Sequence, residues 1–165
     1  MDFSFRNASI NDLSEIVAIY NATIPGRMVT ADLEPVTIES RKEWFEKHNA
    51  QTRPLWVAEK NGKIAGWLSF HSFYGRPAYS ITCELAIYIH SDFRGQKLGE
   101  TFLQKAIDSA PSLGVENLLG FIFAHNEPSL KLFRKFGFSE WGNLPDVARI
   151  DGKNVTLLIL GKKTI

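Results

Sequence analysis

The sequence predicts an α/β fold, of the kind also called α+β, in which helices cover both faces of a mixed β-sheet. Three observations lead to this prediction. Two helical segments follow the first strand signal, a tight hairpin lies among the next three strand signals, and the remainder alternates strand with helix before a closing hairpin. The predicted order is β-α-α-β-β-β-α-β-α-β-β. Hairpins give antiparallel pairs and a strand–helix–strand crossover gives a parallel pair, so the sheet should be mixed.

The first three elements are a short strand and two helices. Residues 3–6 alternate polar and apolar side chains, as a half-buried strand does. Asn11 is the predicted N-cap of a helix whose apolar residues recur at helical spacing, and Pro25-Gly26 ends it. Thr37 is the predicted cap of the second helix.

Three strands come next, and the first two form a hairpin. Residues 55–59 and 64–70 flank Asn61-Gly62, a dipeptide that favours the type I′ turn of a two-residue hairpin. Residues 79–90 are a candidate for a long third strand.

The second half alternates helix and strand. A helical stripe runs over residues 98–110, and residues 118–124 predict a buried strand. Pro128 suits the first turn of a helix, and Gly137 suits the position just after its end. Asp151-Gly152 predicts a closing hairpin. Its strands are residues 147–150 and 155–160.

Composition narrows the class of protein. The 165 residues carry 19 Lys and Arg against 18 Asp and Glu, and they include one Cys. This balanced charge gives no electrostatic reason to expect a nucleic acid or an acidic membrane as partner, and a lone Cys forms no internal disulfide. The N-terminus does not read as a signal peptide, and no apolar run approaches roughly 18 residues. We therefore expect a single cytoplasmic domain over residues 1–165.

The third strand contains an acidic residue in apolar surroundings. Strand alternation places Glu84 on the face opposite the apolar residues. The apolar face carries Leu85, Ile87 and Ile89, and the other face carries Glu84, Ala86, Tyr88 and His90. Burying a carboxylate is costly unless it is paired or used in chemistry. Glu84 is therefore either a functional carboxylate or the end of a strand that reaches solvent.

The loop after that strand has the features of an anion site. Gly95 and Gly99 flank the point where the loop enters a helix, and helix N-terminal N–H groups attract anions. Arg94 and Lys97 add positive charge. This combination suits a pyrophosphate, although an ordinary glycine-rich turn has the same composition, and the spacing is not that of a Walker A loop.

Two motifs resemble those of the GNAT superfamily of acyl-CoA-dependent N-acetyltransferases. The pyrophosphate loop of that family reads Arg/Gln-x-x-Gly-x-Gly/Ala; Arg94, Leu98 and Gly99 match it, whereas Lys97 replaces the middle Gly. The second family motif, Asn-x-x-Ser/Ala followed by an aromatic residue and Gly-Phe, is matched by Asn126, Ser129, Phe133, Gly137 and Phe138.

Further segments, spread over roughly residues 3–160, resemble the branch that contains phosphinothricin, methionine-sulfoximine and methionine-sulfone acetyltransferases. They are residues 30–35, Arg41 with Trp44-Phe45, residues 76–79, and the stretch from Trp141 to Ala148.

The resemblance implies a twisted, mostly antiparallel sheet with a splayed central strand pair, and acetyl-CoA as cosubstrate without a metal. It implies acetyl transfer to the α-amine of a small amino-acid-like substrate, with Glu84 as a general base acting through water. The implied acetyl-CoA contacts are the backbone of Ile87, Tyr88 and Ile89, the loop residues Arg94, Gly95, Gln96, Lys97, Leu98, Gly99 and Glu100, and Asn126 and Ser129. The implied substrate contacts are Arg76, Pro77, Ala78 and Glu84.

Some interpretations remain open at the level of sequence. Arg76 is either a clamp for a substrate carboxylate or a solvated loop residue. Phe133, where many family members have a general-acid Tyr, suits a core aromatic, and Cys83 suits packing. The four His residues lack metal-ligand spacing. The branch and the apolar residues 155–160, which would pair with or cover a sheet edge, suggest a homodimer.

Two other functions are compatible with the same residues. One is acetylation of a peptide or protein amine, and the other is a non-catalytic acyl-CoA-binding module. The departures at Lys97 and Phe133 favour the module, whereas Glu84 argues against it.

Overall fold

A computed structural model describes residues 2–165, which form seven strands and four α-helices in the predicted order. The elements are β1 (Ser4–Asn7), α1 (Leu13–Asn21), α2 (Ile38–Glu46), β2 (Leu55–Lys60), β3 (Lys63–Ser72), β4 (Thr82–Ile89), α3 (Leu98–Ser109), β5 (Asn117–Phe123), α4 (Glu127–Lys135), β6 (Ser139–Ile150) and β7 (Lys153–Lys163). Within these residues, no helix is long and apolar enough to cross a membrane.

The strands form one sheet in the order β1-β2-β3-β4-β5-β7-β6. Every neighbouring pair is antiparallel except β4 and β5, which are parallel. The crossover between these two strands contains α3, as the geometry of a parallel pair requires. The prediction of a mixed, mostly antiparallel sheet is confirmed.

The central strand pair is splayed. β4 and β5 are paired at only three positions, which end with Glu84 opposite Leu119. Beyond that point β4 continues beside β3 to Ile89, and β5 continues beside β7 to Phe123. Among residues 2–165, the edge of β4 that faces β5 therefore has no strand partner after Glu84, and a cleft opens in the middle of the sheet.

Helices cover both faces, and each face has its own apolar core. Helices α1 and α2 pack over a cluster that includes Ile16, Val57 and Trp67. On the other face, α3 and α4 cover the larger cluster, which includes Phe102 and Phe133. Fully burying one such side chain contributes about 1.5–3 kcal/mol, so the two clusters hold the helices firmly against the sheet.

The start of α1 corrects one prediction. Asn11 is not its cap, because a short 3-10 turn over Ile10–Asp12 precedes the helix. The carboxylate of Asp12 accepts a hydrogen bond from the backbone N–H of Ser9 at 2.7 Å and pairs with Arg6 at 2.7 Å. Asp12 can satisfy both groups, whereas Asn11 remains exposed. The prediction for α2 is confirmed, since Thr37 Oγ1 accepts from the N–H of Ser40.

Two strand boundaries also differ from those predicted. β4 begins at Thr82, because residues 77–79 form a 3-10 turn. β6 begins at Ser139, eight residues before the predicted start. The prediction began later because two irregularities in the pairing of β6 with β7 break the alternation of side chains by which a strand is identified.

The C-terminal strand is not at an edge. β7 lies between β5 and β6, so both of its sides are paired and β6 forms the sheet edge. Residues 155–160 therefore do pair with other strands, but within the same chain, and they present no free edge to a second copy. The homodimer stays a prediction from the family branch alone.

Candidate active site

A cavity of about 240 Å³ lies between the sheet and helices α1 and α2. Its floor is made by alternate residues of two paired strands, because alternate side chains share one face of a sheet. These are Trp67, Ser69 and His71 of β3 and Glu84, Ala86 and Tyr88 of β4. The predicted alternation in β4 is confirmed, since Cys83 and Leu85 are buried in the core on the other face.

Glu84 carries the acidic side chain of this floor. It lies opposite His71 of β3 on one side and opposite Leu119 of β5 on the other. Burial raises the pKa of its carboxyl from 4.5 to about 7, and no neighbour in residues 2–165 offsets that effect with a hydrogen bond or an opposite charge. Near neutral pH this group can therefore both take up and release a proton.

Aromatic rings form the walls. Tyr88 stacks on Trp67 with ring centres 4.7 Å apart, and the edges of Tyr20 and Trp44 meet these two rings at 5.0 and 5.4 Å. The indole Nε1 of Trp67 donates to the carbonyl oxygen of Ile16 at 3.1 Å, which fixes α1 to β3. Burial raises the pKa of Tyr88, so its hydroxyl stays protonated. The walls are thus rigid and mostly apolar.

Arg41 brings a positive charge to the same cavity. It projects from α2, and its side chain is 27% exposed. The guanidinium pairs with Asp32 at 2.9 Å and lies over the ring of Tyr20, 5.0 Å from its centre. Asp32 also accepts a hydrogen bond from the Tyr20 hydroxyl, which contacts Thr30 as well.

The loop that follows β4 has an irregular backbone before α3 begins. Gly95 and Lys97 both have positive φ, at 74° and 61°, in the left-handed region that favours glycine. The first α-helical bond of this segment runs from the N–H of Thr101 to the carbonyl of Lys97, so the N–H groups of residues 98–100 precede it. These donors are available to an anion, together with the exposed side chains of Arg94 and Lys97.

Two side chains of this segment, Gln96 in the loop and Glu100 in the first turn of α3, are bonded to other parts of the fold. Lys60 donates to Gln96 at 2.7 Å, and Lys135 pairs with Glu100 at 2.8 Å. The Lys135 ammonium lowers the pKa of the Glu100 carboxyl.

The residues of the second family motif lie at the N-cap of α4 and within the helix. Asn126 is buried and caps the helix, since its Oδ1 accepts from the N–H of Ser129, while its Nδ2 donates to the carbonyl of Met28 at 3.3 Å. Phe133 is also buried, packed edge-on against Phe138. Its ring covers Gly120 of β5 so closely that a Cβ there would lie 2.7 Å from Cε1.

The structure brings only part of the predicted site together. Glu84 and Tyr88 line the cavity, whereas Ile87 and Ile89 face the opposite core. Arg76, Pro77 and Ala78 lie on an exposed turn between β3 and β4 and do not line the cavity.

Two further predictions concern a reactive thiol and a metal site. Cys83 is fully buried and burial raises its pKa to about 11, which makes the thiol a packing group. Within residues 2–165, no group of three or more His, Cys, Asp or Glu side chains is placed to hold a metal ion.

Sequence reasoning gave no role to the residues that form the walls of the cavity. Tyr20, Arg41, Trp44 and Trp67 come from three separate elements, and only the fold brings them together. One local signal was available: Arg41 and Trp44 are three residues apart in a helix, which places both on one face.

Comparison with known proteins identifies relatives over almost the whole chain. Residues 15–138 match the model of the family described as "Acetyltransferase (GNAT) family". YwnH of Bacillus subtilis, whose name marks phosphinothricin acetyltransferase as a provisional assignment, is 55% identical over 97% of this chain and 98% of its own length. The L-methionine sulfoximine/L-methionine sulfone acetyltransferase of Pseudomonas aeruginosa is 30% identical over 97% of this chain and 94% of its own.

Solved structures share the fold as well. A crystal structure of a candidate phosphinothricin N-acetyltransferase superposes with a TM-score of 0.95 at 53% identity and covers 99% of each chain. The candidate acetyltransferase yncA of Salmonella typhimurium, solved with its cofactor acetyl-CoA, superposes with a TM-score of 0.92 at 25% identity over 100% of this chain and 95% of its own.

Proposed function

The chain belongs to the GNAT family of acetyltransferases, and we propose that it acetylates the α-amine of a small amino-acid-like acceptor with Glu84 as general base. The observation that carries this proposal is the position of Glu84. Its carboxylate lies in an aromatic cavity at the residue where β4 and β5 part. Acceptors of the phosphinothricin, methionine sulfoximine or methionine sulfone type are proposed because two relatives bear these names.

The loop before α3 fits the pyrophosphate of acetyl-CoA. Its helix N-terminal N–H groups precede the first α-helical hydrogen bond, and Gly95 and Lys97 give the loop two left-handed residues just before the helix begins. Arg94 and Lys97 add charge at the loop. Gln96 and Glu100 are proposed to complete the site through their backbone, since their side chains are bonded to Lys60 and Lys135.

The splayed strands fit the pantetheine arm. The edge of β4 at Ile87, Tyr88 and Ile89 has no strand partner on the side of β5, so its N–H and C=O groups are free to bond an extended amide chain. A main-chain N–H near Ile87 would polarise a carbonyl held there. Asn126 and Ser129 would border the arm from α4.

Glu84 is proposed to remove the proton that blocks attack by the amine. When bound, acetyl-CoA supplies an activated acetyl thioester. An amine attacks only as the free base, so its ammonium must first lose a proton, which Glu84 accepts through a water molecule. The nitrogen then forms a bond to the acetyl carbon as the carbon–sulfur bond breaks. The second proton that the nitrogen loses on becoming an amide is taken up by the released thiolate, and no acyl group passes through Cys83.

The leaving thiolate needs no acid from Phe133. A phenyl ring has no proton to donate, and Phe133 is buried against Gly120. Because an ordinary thiol has a pKa of about 8.5, the thiolate is a stable enough leaving group to depart unaided.

The cavity favours a small acceptor over a peptide. Four aromatic rings and two helices bound a space of about 240 Å³, which suits one amino-acid side chain. The turn at Arg76, Pro77 and Ala78 remains a proposed substrate contact from the family branch, and its exposure means that it would act at the rim of the site.

The direct test measures release of coenzyme A from acetyl-CoA with phosphinothricin, methionine sulfoximine, methionine sulfone and ordinary amino acids as acceptors. Turnover of one of the first three supports the proposal. Turnover of N-terminal peptides alone would favour the peptide-amine alternative, and tight acetyl-CoA binding without acetylation of any amine would favour the non-catalytic module.

A further inference from the structure

We propose that Arg41 is the specificity-determining residue of the cavity and binds a carboxylate of the acceptor, while Tyr20 and Asp32 act as positioning residues that hold its guanidinium in place. This inference rests on the proposed function, because it concerns recognition of the acceptor in the same cavity. It assigns the carboxylate contact to α2 and not to the turn that carries Arg76.

Arg41 has hydrogen-bond donors that no group among the described residues uses. A guanidinium has five N–H donors. Within residues 2–165, only Nη2 is used, in the pair with Asp32 at 2.9 Å. The group lines the cavity and its side chain is 27% exposed, so the remaining donors are accessible to a molecule inside. Two adjacent guanidinium N–H groups match the two oxygens of a carboxylate.

The charged side chains of the cavity lie on two different sides of it. Glu84 projects from the floor and Arg41 from the helical wall, and between them the lining is mostly aromatic. His71 is the other lining side chain that can carry positive charge, and it lies directly opposite Glu84 in the sheet. An α-amino acid is complementary to this arrangement, because its ammonium can approach Glu84 while its carboxylate meets Arg41.

The guanidinium of Arg41 is held rigidly by its neighbours. Tyr20 supports one of its faces at 5.0 Å, and Asp32 accepts hydrogen bonds from both Arg41 and the Tyr20 hydroxyl. A surface Arg without such contacts would lose conformational freedom on binding a ligand. Arg41 has already lost much of that freedom in the fold, as a recognition residue requires.

The assignment predicts a preference for a free carboxylate. An acceptor whose carboxylate is replaced by a neutral carboxamide leaves guanidinium donors unpaired, which is costly in a partly buried site. L-methionine sulfone and its carboxamide share the side chain and the α-amino group and differ only in the carboxyl function, which also changes the basicity of the amine. The contribution of the carboxylate contact is therefore obtained by comparing the two compounds across several proteins.

The experiment compares kcat/KM for L-methionine sulfone and its carboxamide in four proteins: wild type, Arg41→Gln, Arg41→Lys and Arg76→Gln. The intrinsic difference in reactivity between the two amines is the same for every protein, so changes in the acid-to-amide ratio report recognition alone. We expect Arg41→Gln to lower this ratio about 10–100-fold, the range for a charge-assisted hydrogen-bonded pair. Arg41→Lys should lower it less, and Arg76→Gln should leave it within about threefold of wild type.

If Arg41 had a purely structural role, Arg41→Gln would reduce the rates with acid and amide equally. An unchanged acid-to-amide ratio in that variant would therefore overturn the proposal. A ratio that falls only in Arg76→Gln overturns it as well. If Arg41→Gln does not fold, Arg41→Lys decides the question, since an unchanged ratio in that variant contradicts a role for the planar fork.

A second measurement separates this inference from the proposed function. If the wild type acetylates neither compound, binding is followed through the fluorescence of Trp44 and Trp67, which line the cavity. Quenching by the acid in the wild type, weakened at least about tenfold in Arg41→Gln, supports the clamp even without turnover. Equal quenching in both proteins, or none in the wild type, overturns it.

Discussion

Glu84 stands opposite Leu119 in the last residue pair that joins β4 to β5. One residue further along, the two strands have separated, and the cleft proposed for acetyl-CoA begins. The side chain of Glu84 projects into the aromatic cavity on the α1–α2 face. The same residue thus lies at the meeting point of two spaces, one suited to the acetyl donor and one suited to the amine.

Replacing Glu84 with Gln should lower kcat near neutral pH by about 10²–10⁴-fold, the usual contribution of a general base. The substitution keeps the shape of the side chain, and Glu84 is not among the proposed acetyl-CoA contacts. The dissociation constant for acetyl-CoA, measured by calorimetry, should therefore stay within about twofold of wild type. Glu140→Gln on exposed β6 is the matched control. An unchanged rate in Glu84→Gln would remove the general base from the mechanism.

The rate should depend on pH in a way set by the raised pKa of Glu84. Because the carboxyl has a pKa of about 7, the basic form is scarce at pH 5.5 and predominant at pH 8. We expect kcat/KM for the acceptor to rise through pH 7 as this proton is lost, with a further rise at higher pH as the α-ammonium of the acceptor deprotonates. In Glu84→Gln only the second rise should remain. If the rise of kcat/KM near pH 7 persists in Glu84→Gln, it reports the titration of a different group.

The same carboxylate should destabilise the fold at alkaline pH. Its pKa is about 7 in the folded chain and about 4.5 when exposed, so between these values the folded state holds the extra proton and stability falls as pH rises. Below pH 4.5 both states are protonated and the cost is absent. This difference in pKa between the folded and the exposed carboxyl lowers the free energy of unfolding by about 3 kcal/mol above pH 8. Urea unfolding should show Glu84→Gln more stable than wild type at pH 8 and equal to it at pH 4, with Glu140→Gln unchanged at both.

The elements that depend on local chemistry were predictable from the sequence. Asn61-Gly62 and Asp151-Gly152 each provide two successive residues with positive φ, which the two-residue hairpin turn requires, and both hairpins lie where predicted. Side chains alternate between the two faces of any strand, which is why Glu84 and its neighbour Cys83 lie on different faces of the sheet.

The walls of the cavity were not predictable in the same way. Arg41 meets Tyr20 only because two helices, separated by a long loop, pack on one face of the sheet. No pattern within α2 says which loop carboxylate will pair with its guanidinium. The early start of β6 was missed because its pairing irregularities interrupt the period of two that identifies strands.

Lys97 stands in the loop before α3 at a position where the family motif has glycine. Variants at this position should show what the side chain costs the backbone. A non-glycine residue in the left-handed region costs about 1 kcal/mol relative to glycine, and φ at Lys97 is 61°. Lys97→Gly and Lys97→Ala both remove the charge, but only glycine relieves the backbone. Chemical denaturation should find the Gly variant about 1 kcal/mol more stable than the Ala variant. Both should bind coenzyme A more weakly than wild type, with a smaller dependence on salt. Equal stabilities would contradict the backbone argument.

Gly120 and Phe133 should be energetically coupled, because the ring occupies the space that a side chain at Gly120 would need. A Cβ at Gly120 would lie 2.7 Å from Cε1 of Phe133. Gly120→Ala should therefore destabilise the fold by about 1–3 kcal/mol through overpacking, and Phe133→Ala by about 3–5 kcal/mol through the cavity that it leaves. In the double variant the methyl group enters that cavity, so the total should fall short of the sum by about 1 kcal/mol or more. Gly26→Ala is the control, since nothing lies within 4 Å of a Cβ there. Strict additivity in urea unfolding would mean that the ring does not depend on glycine at this position of β5.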